Sequence, residues 1–124
     1  MTKLFKSMLI AGALIAAPAL AHGSTKPKHG GQLVMSGETQ VELVRSPKGV
    51  SVYVSEEDEP IAAAGLSGKL IITEGSKKRE AALKSGPANR LDAPGVKIAN
   101  GAKVTVSLLT KLTQARTNAS FTVK

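Results

Sequence analysis

The chain has 124 residues, carries 17 Lys and Arg against 9 Asp and Glu for a formal charge of +8, and contains no cysteine or tryptophan. Without cysteine there is no disulfide framework, thiolate metal site, cysteine nucleophile or redox pair. With one Tyr and two Phe there is also almost no platform on which nucleic-acid bases could stack, so nucleic acid is not expected as a partner.

The first 21 residues have the three-part layout of a secretory signal. Lys3 and Lys6 form a basic start, Met8 to Ala17 is small and apolar, and Pro18 precedes an Ala19-Leu20-Ala21 cleavage motif. A membrane anchor is the alternative, but the apolar stretch ends at Ala21 and is shorter than the ~20 residues a spanning helix needs. The sequence therefore predicts a protein exported to the periplasm, beginning at His22 and having no stable membrane span after processing. Loss of the two signal lysines lowers the charge to about +6, and about 100 residues remain, enough for a single core. The remaining lysines are scattered along the chain, and the one basic run, Lys77-Lys78-Arg79, reads as a solvated strand edge.

Residues 22–31 form a polar leader holding both histidines, His22 and His29. Beyond it, residues 32–124 alternate short β-type runs with turn residues. Val50, Val52 and Val54 alternate with Ser51, Tyr53 and Ser55, and Val104, Val106 and Leu108 alternate with Thr105, Ser107 and Leu109. Ala119, Phe121 and Val123 repeat the pattern, giving three strands with one apolar face each. Further strands are expected over Gln32 to Met35, Thr39 to Arg45, Lys69 to Thr73, Arg79 to Lys84 and Val96 to Ala99. Ala62 to Gly65 suits a brief helical turn, and Asn100-Gly101 suits a tight hairpin between the strands at Val96 to Ala99 and Val104 to Leu108. The expected fold is all-β: an antiparallel, immunoglobulin-like β-sandwich of about seven to eight strands.

Enzyme chemistry finds little support. Ser36-Gly37 and Ser67-Gly68 lie in turns but not in a G-x-S-x-G setting. Glu42, Glu74, Glu80 and Asp92 are separated by turn residues, so no acid/base pair is spaced for catalysis. The chain is read as a non-enzyme. The acidic run Glu56-Glu57-Asp58-Glu59 lacks the alternating ligands and glycine of a calcium loop and reads as a solvated hairpin connection.

Metal chemistry is the sharper expectation. Cleavage after Ala21 gives His22 a free α-amine, which with its own ring Nδ1 closes a six-membered chelate. Imidazole suits Cu(II) and Zn(II), and an amine of pKa ~7.7 to 8.0 deprotonates readily near neutrality. His29 is a candidate further ligand, and Met35 offers a soft sulfur for Cu(I) or else plain strand packing. A terminal histidine brace also occurs in copper monooxygenases, which the chain resembles at that terminus only.

The order His29-Gly30-Gly31, Glu42-Leu43-Val44, Gly49 through Val54, Pro60 and Asn89-Arg90-Leu91 resembles small periplasmic proteins associated with bacterial heavy-metal efflux. It also resembles the His-Gly-Gly-led β domain of some periplasmic adaptor subunits. The resemblance implies a copper- or zinc-binding accessory protein, with His29 as the matched ligand and an efflux-system component as partner. The chain lacks the helical hairpin and lipoyl-like segments of a full adaptor. The alternative is a structural or protein-interaction module of the bacterial envelope that uses no metal.

Overall fold

The computed structural model describes residues 25–124, so the signal segment and His22 lie outside the described residues. Nine strands follow in chain order: β1 (Gln32–Ser36), β2 (Thr39–Ser46), β3 (Gly49–Glu56), β4 (Glu59–Pro60), β5 (Leu66–Glu74), β6 (Lys77–Ser85), β7 (Arg90–Pro94), β8 (Lys103–Thr110) and β9 (Ala115–Thr122). One 3-10 turn, Ala63–Gly65, links β4 to β5. Among the described residues no helix is long and apolar enough to cross a membrane.

All pairings are antiparallel, and the strand order is β1-β2-β3-β7-β6-β5-β8-β9, with β4 paired to β3. Within it, β5, β6 and β7 run consecutively and β8 returns beside β5, the spatial order of a Greek key. The two halves meet through a short β6–β7 ladder, Lys84↔Asp92 and Ser85↔Leu91. At the opposite seam Gln32 joins the first strand to the last. Its Nε2 donates to the Thr122 carbonyl at 3.0 Å, and its Oε1 accepts from the Lys124 N–H at 3.0 Å. The expected all-β antiparallel class is met, and the sheet curls into a near-barrel.

The core is the sum of the alternating faces. Val41 and Leu43 of β2, Val52 and Val54 of β3 and Leu91 of β7 pack in one cluster with Leu70, Ile72, Val104, Val106 and Phe121 from the other half. Each is at most 3% exposed, and burying a side chain of this size contributes about 1.5–3 kcal/mol. The three strands read from alternation, around Val52, Val106 and Phe121, are all present.

Two expectations are corrected. Val96 to Ala99 is not a strand, and the Asn100-Gly101 turn therefore does not join two strands. Three of the segment's backbone groups are taken by side chains instead of a ladder. Arg45 Nη1 donates to the Ile98 carbonyl at 2.8 Å, the Ala99 N–H donates to Glu74 Oε2 at 2.9 Å, and Arg79 donates to the Lys97 carbonyl. Conversely, Arg90–Pro94 is a strand that alternation over so short a run does not reveal.

Candidate functional site

Strand β2 breaks the rule that one face of a strand is wet. Gln40 and Glu42 point away from the core, opposite in parity to Val41 and Leu43, yet are 4% and 3% exposed. The cover is the end of the leader. Glu42 Oε2 accepts from the His29 and Gly31 backbone N–H groups, both at 2.9 Å. Its Oε1 accepts from the Lys28 N–H at 3.1 Å and is 2.9 Å from His29 Nδ1.

Four donors converging on one carboxylate set its charge state. Burial pushes the Glu42 carboxyl upward, but the His29 ring and the three backbone N–H groups outweigh it and hold it below its ordinary value. An ionised carboxylate only accepts, so Nδ1 of His29 carries the proton and, in the neutral ring, the lone pair lies on Nε2. The other face of the ring is fixed as well: His29 stacks on Tyr53 with centroids 3.6 Å apart and planes 5° from parallel. Tyr53 is the cross-strand partner of Glu42, so one register pair supplies both the anchor and the platform.

The two glycines have separate jobs. Gly30 sits at φ +78°, a left-handed conformation that costs other residues about 1 kcal/mol or more. At Gly31 an added Cβ would lie 2.2 Å from the Leu43 carbonyl oxygen, so only glycine lets the leader press this closely on β2. His-Gly-Gly is therefore a clamp: a ring held by Glu42 and Tyr53, a left-handed turn, and a residue without a side chain.

Beside the clamp lies a recess of about 230 Å³ whose walls include His29, Glu42, Tyr53, Pro60 and Asn89. Asn89 is itself placed by β3, its Nδ2 donating to the Val54 carbonyl at 2.9 Å while the Val54 N–H donates to the Asn89 backbone carbonyl at 3.1 Å. Gln40 braces the nearby acidic hairpin. It accepts from the Asp58 N–H at 2.7 Å and donates to Asp58 Oδ1 at 2.9 Å, supporting a turn in which Glu57 and Asp58 both have positive φ. The run Glu56 to Glu59 is exposed, as a solvated connection should be.

The expected ligands separate in this geometry. His29 sits at the recess with its side chain 39% exposed. Met35 is on the same outward face but opposite Gln40, two residues along β1 from Leu33, which pairs with Glu42. His22 lies outside the described residues. Among the described residues no three His, Cys, Asp or Glu side chains stand together as a metal site. One imidazole nitrogen falls short of the three or four protein ligands a zinc ion takes, so these residues alone do not fit a bound ion. Glu42 and Tyr53 as clamp residues, and Gln40 as the brace of the acidic hairpin, escape sequence reasoning. The usable signal is an acid and an amide at alternate positions around Val41, Leu43 and Val44, which needs a cover.

No protein-family model, curated protein or solved structure matches the chain.

Proposed function

We propose that the chain is a non-catalytic protein-interaction module of the bacterial envelope, in which the His29 recess receives a partner segment and no metal is required. The observation that carries this reading is the Glu42 carboxylate. It places Lys28, His29 and Gly31 through hydrogen bonds of 2.9 to 3.1 Å that need no ion. A leader already held by the fold is a rigid docking edge, and a preorganised surface loses less entropy on binding. The recess offers mixed chemistry suited to a peptide: Ser55 and Asn89 can exchange hydrogen bonds, while Leu33 and Pro60 give apolar contact. An immunoglobulin-like description of the two halves belongs to the same proposal and rests on the Greek key.

A second reading is a periplasmic copper or zinc accessory protein linked to heavy-metal efflux. It is favoured by one feature, the carboxylate behind His29 Nδ1. Such backing orients a metal-ligating imidazole and raises the basicity of Nε2. In this reading His22 and Met35 would complete the set.

Calorimetric titration of Cu(II) and Zn(II) into the processed, chelator-treated protein separates the two, run beside His29→Ala and with amide exchange recorded before metal is added. The interaction module predicts protected amides at residues 28, 29 and 31 without metal, and weak ion binding that His29→Ala leaves unchanged. Tight one-to-one binding that collapses in His29→Ala would overturn it in favour of the metal carrier.

A further inference from the structure

Five of the cations that look scattered in the sequence, Lys69, Lys78, Lys84, Lys103 and Arg116, share one surface. The outward positions of β6, β5, β8 and β9 follow from register: Lys78, Thr73, Lys103 and Thr122 form one row across the sheet. Glu80, Ile71, Thr105 and Ser120 form the next row, and Ala82, Lys69, Ser107 and Asn118 the third. Ser67, Leu109 and Arg116 continue it, with Lys84 at the matching parity of β6. With strands about 4.8 Å apart and a rise of about 3.4 Å per residue, this face measures roughly 14 by 20 Å.

Its charge is one-sided. Lys69, Lys78, Lys84, Lys103 and Arg116 stand on it, while among the described residues Glu80 is the one acid, already 3.3 Å from Lys69. Lys78, Lys84, Lys103 and Arg116 are in no ion pair among the described residues. Between the cations lie six hydroxyl side chains and Asn118, which outnumber the apolar Ile71, Ala82 and Leu109 on the same face. A recess of about 250 Å³ opens here, walled by Ser67, Lys69, Ser107 and Arg116 with Gly68 and Leu109.

We propose that this face binds an anionic polysaccharide, with one acidic substituent seated between Lys69 and Arg116 and its neighbours reaching Lys84 and Lys103. Charge complementarity supplies the attraction, and the hydroxyl-lined recess matches a discrete anionic group carried on a polyhydroxyl chain. A polynucleotide fits less well because among the described residues no aromatic side chain is on this face: Phe121 is buried and Tyr53 lies under His29. A bilayer fits less well because the large exposed apolar residue, Leu112, sits in the β8–β9 turn and not on the face. This surface is separate from the His29 recess, so its failure would leave the preceding proposal standing.

The test is binding of fluorescently labelled dextran sulfate to the processed full chain across a salt series. Neutral dextran, single-stranded DNA and vesicles containing phosphatidylglycerol serve as comparison ligands. The double variant Lys103→Ser with Arg116→Ser should weaken dextran sulfate binding about tenfold near physiological salt and lower the salt slope by about 2. Ser107→Glu, which places a carboxylate in the recess, should weaken it at least as much with the thermal melt retained. Lys48→Ser with Lys97→Ser, equal in charge but outside the face, should change affinity less than about threefold. Equal losses in both double variants, no binding of dextran sulfate, or tighter binding to the DNA or the vesicles would each overturn the proposal.

Discussion

Replacing Glu42 by Gln keeps the shape of the side chain and removes its charge, which makes it the sharpest probe of the clamp. The carboxylate accepts two donors on each oxygen: Lys28 N–H and His29 Nδ1–H on one, His29 and Gly31 N–H on the other. An amide can accept on one oxygen only, and its NH2 would confront the two donors on the other side. Hydrogen bonds to a charged group contribute about 1.5–3 kcal/mol each, but the half-exposed leader can lift away and give its donors to water. The net loss is therefore set near that of one strong bond, about 2 kcal/mol. For a domain of this size that lowers Tm by about 10 °C. If the loss is local, the amides of residues 28, 29 and 31 exchange about 30-fold faster. Thermal melting by circular dichroism and amide exchange by NMR or mass spectrometry read the two quantities. A Glu42→Gln protein with unchanged Tm and unchanged exchange at residues 28–31 would refute the clamp.

Acid should act like the mutation. Because the folded Glu42 is held below its ordinary value of 4.5, its contribution is complete above that pH and is lost as pH falls through the lowered folded value. Protection of residues 28–31 should stay level from neutrality to about pH 5 and fall at lower pH, and Glu42→Gln should remove that dependence. Gly31→Ala should cost about 2 kcal/mol or more in urea titration, because the new Cβ meets the Leu43 carbonyl at 2.2 Å and the leader must move off β2. Ala88→Gly should raise the urea midpoint, worth about 0.5–1 kcal/mol, since Ala88 holds φ +55° in the turn before β7. Asn89→Ala should lower stability by about 1 kcal/mol by taking the Nδ2 donor from the Val54 carbonyl, read in the same titration.

The class of the fold was legible in the amino-acid sequence, because alternation is a local property. A strand whose every second residue is Val or Leu, as at Val50 to Val54 and Val104 to Leu108, can bury only one face. Many turns were legible too, where Gly, Pro, Asn and Asp act within two or three residues of themselves, but Ser67-Gly68, expected in a turn, lies inside β5. Where a signal depended on partners far along the chain, local reading failed. Val96 to Ala99 has strand-forming residues, but Arg45, Glu74 and Arg79 take its backbone groups and no ladder forms.

The same divide runs through the functional surfaces. His29 was legible as a candidate because a histidine before two glycines is conspicuous. Its surroundings were not, since the Glu42↔Tyr53 register is a contact between strands. The basic face is the clearest case. Lys69, Lys84, Lys103 and Arg116 are far apart in sequence, and only the pairing of β6, β5, β8 and β9 sets them side by side. Strand periodicity decides which way each lysine points, but the tertiary register alone decides which lysines share a surface.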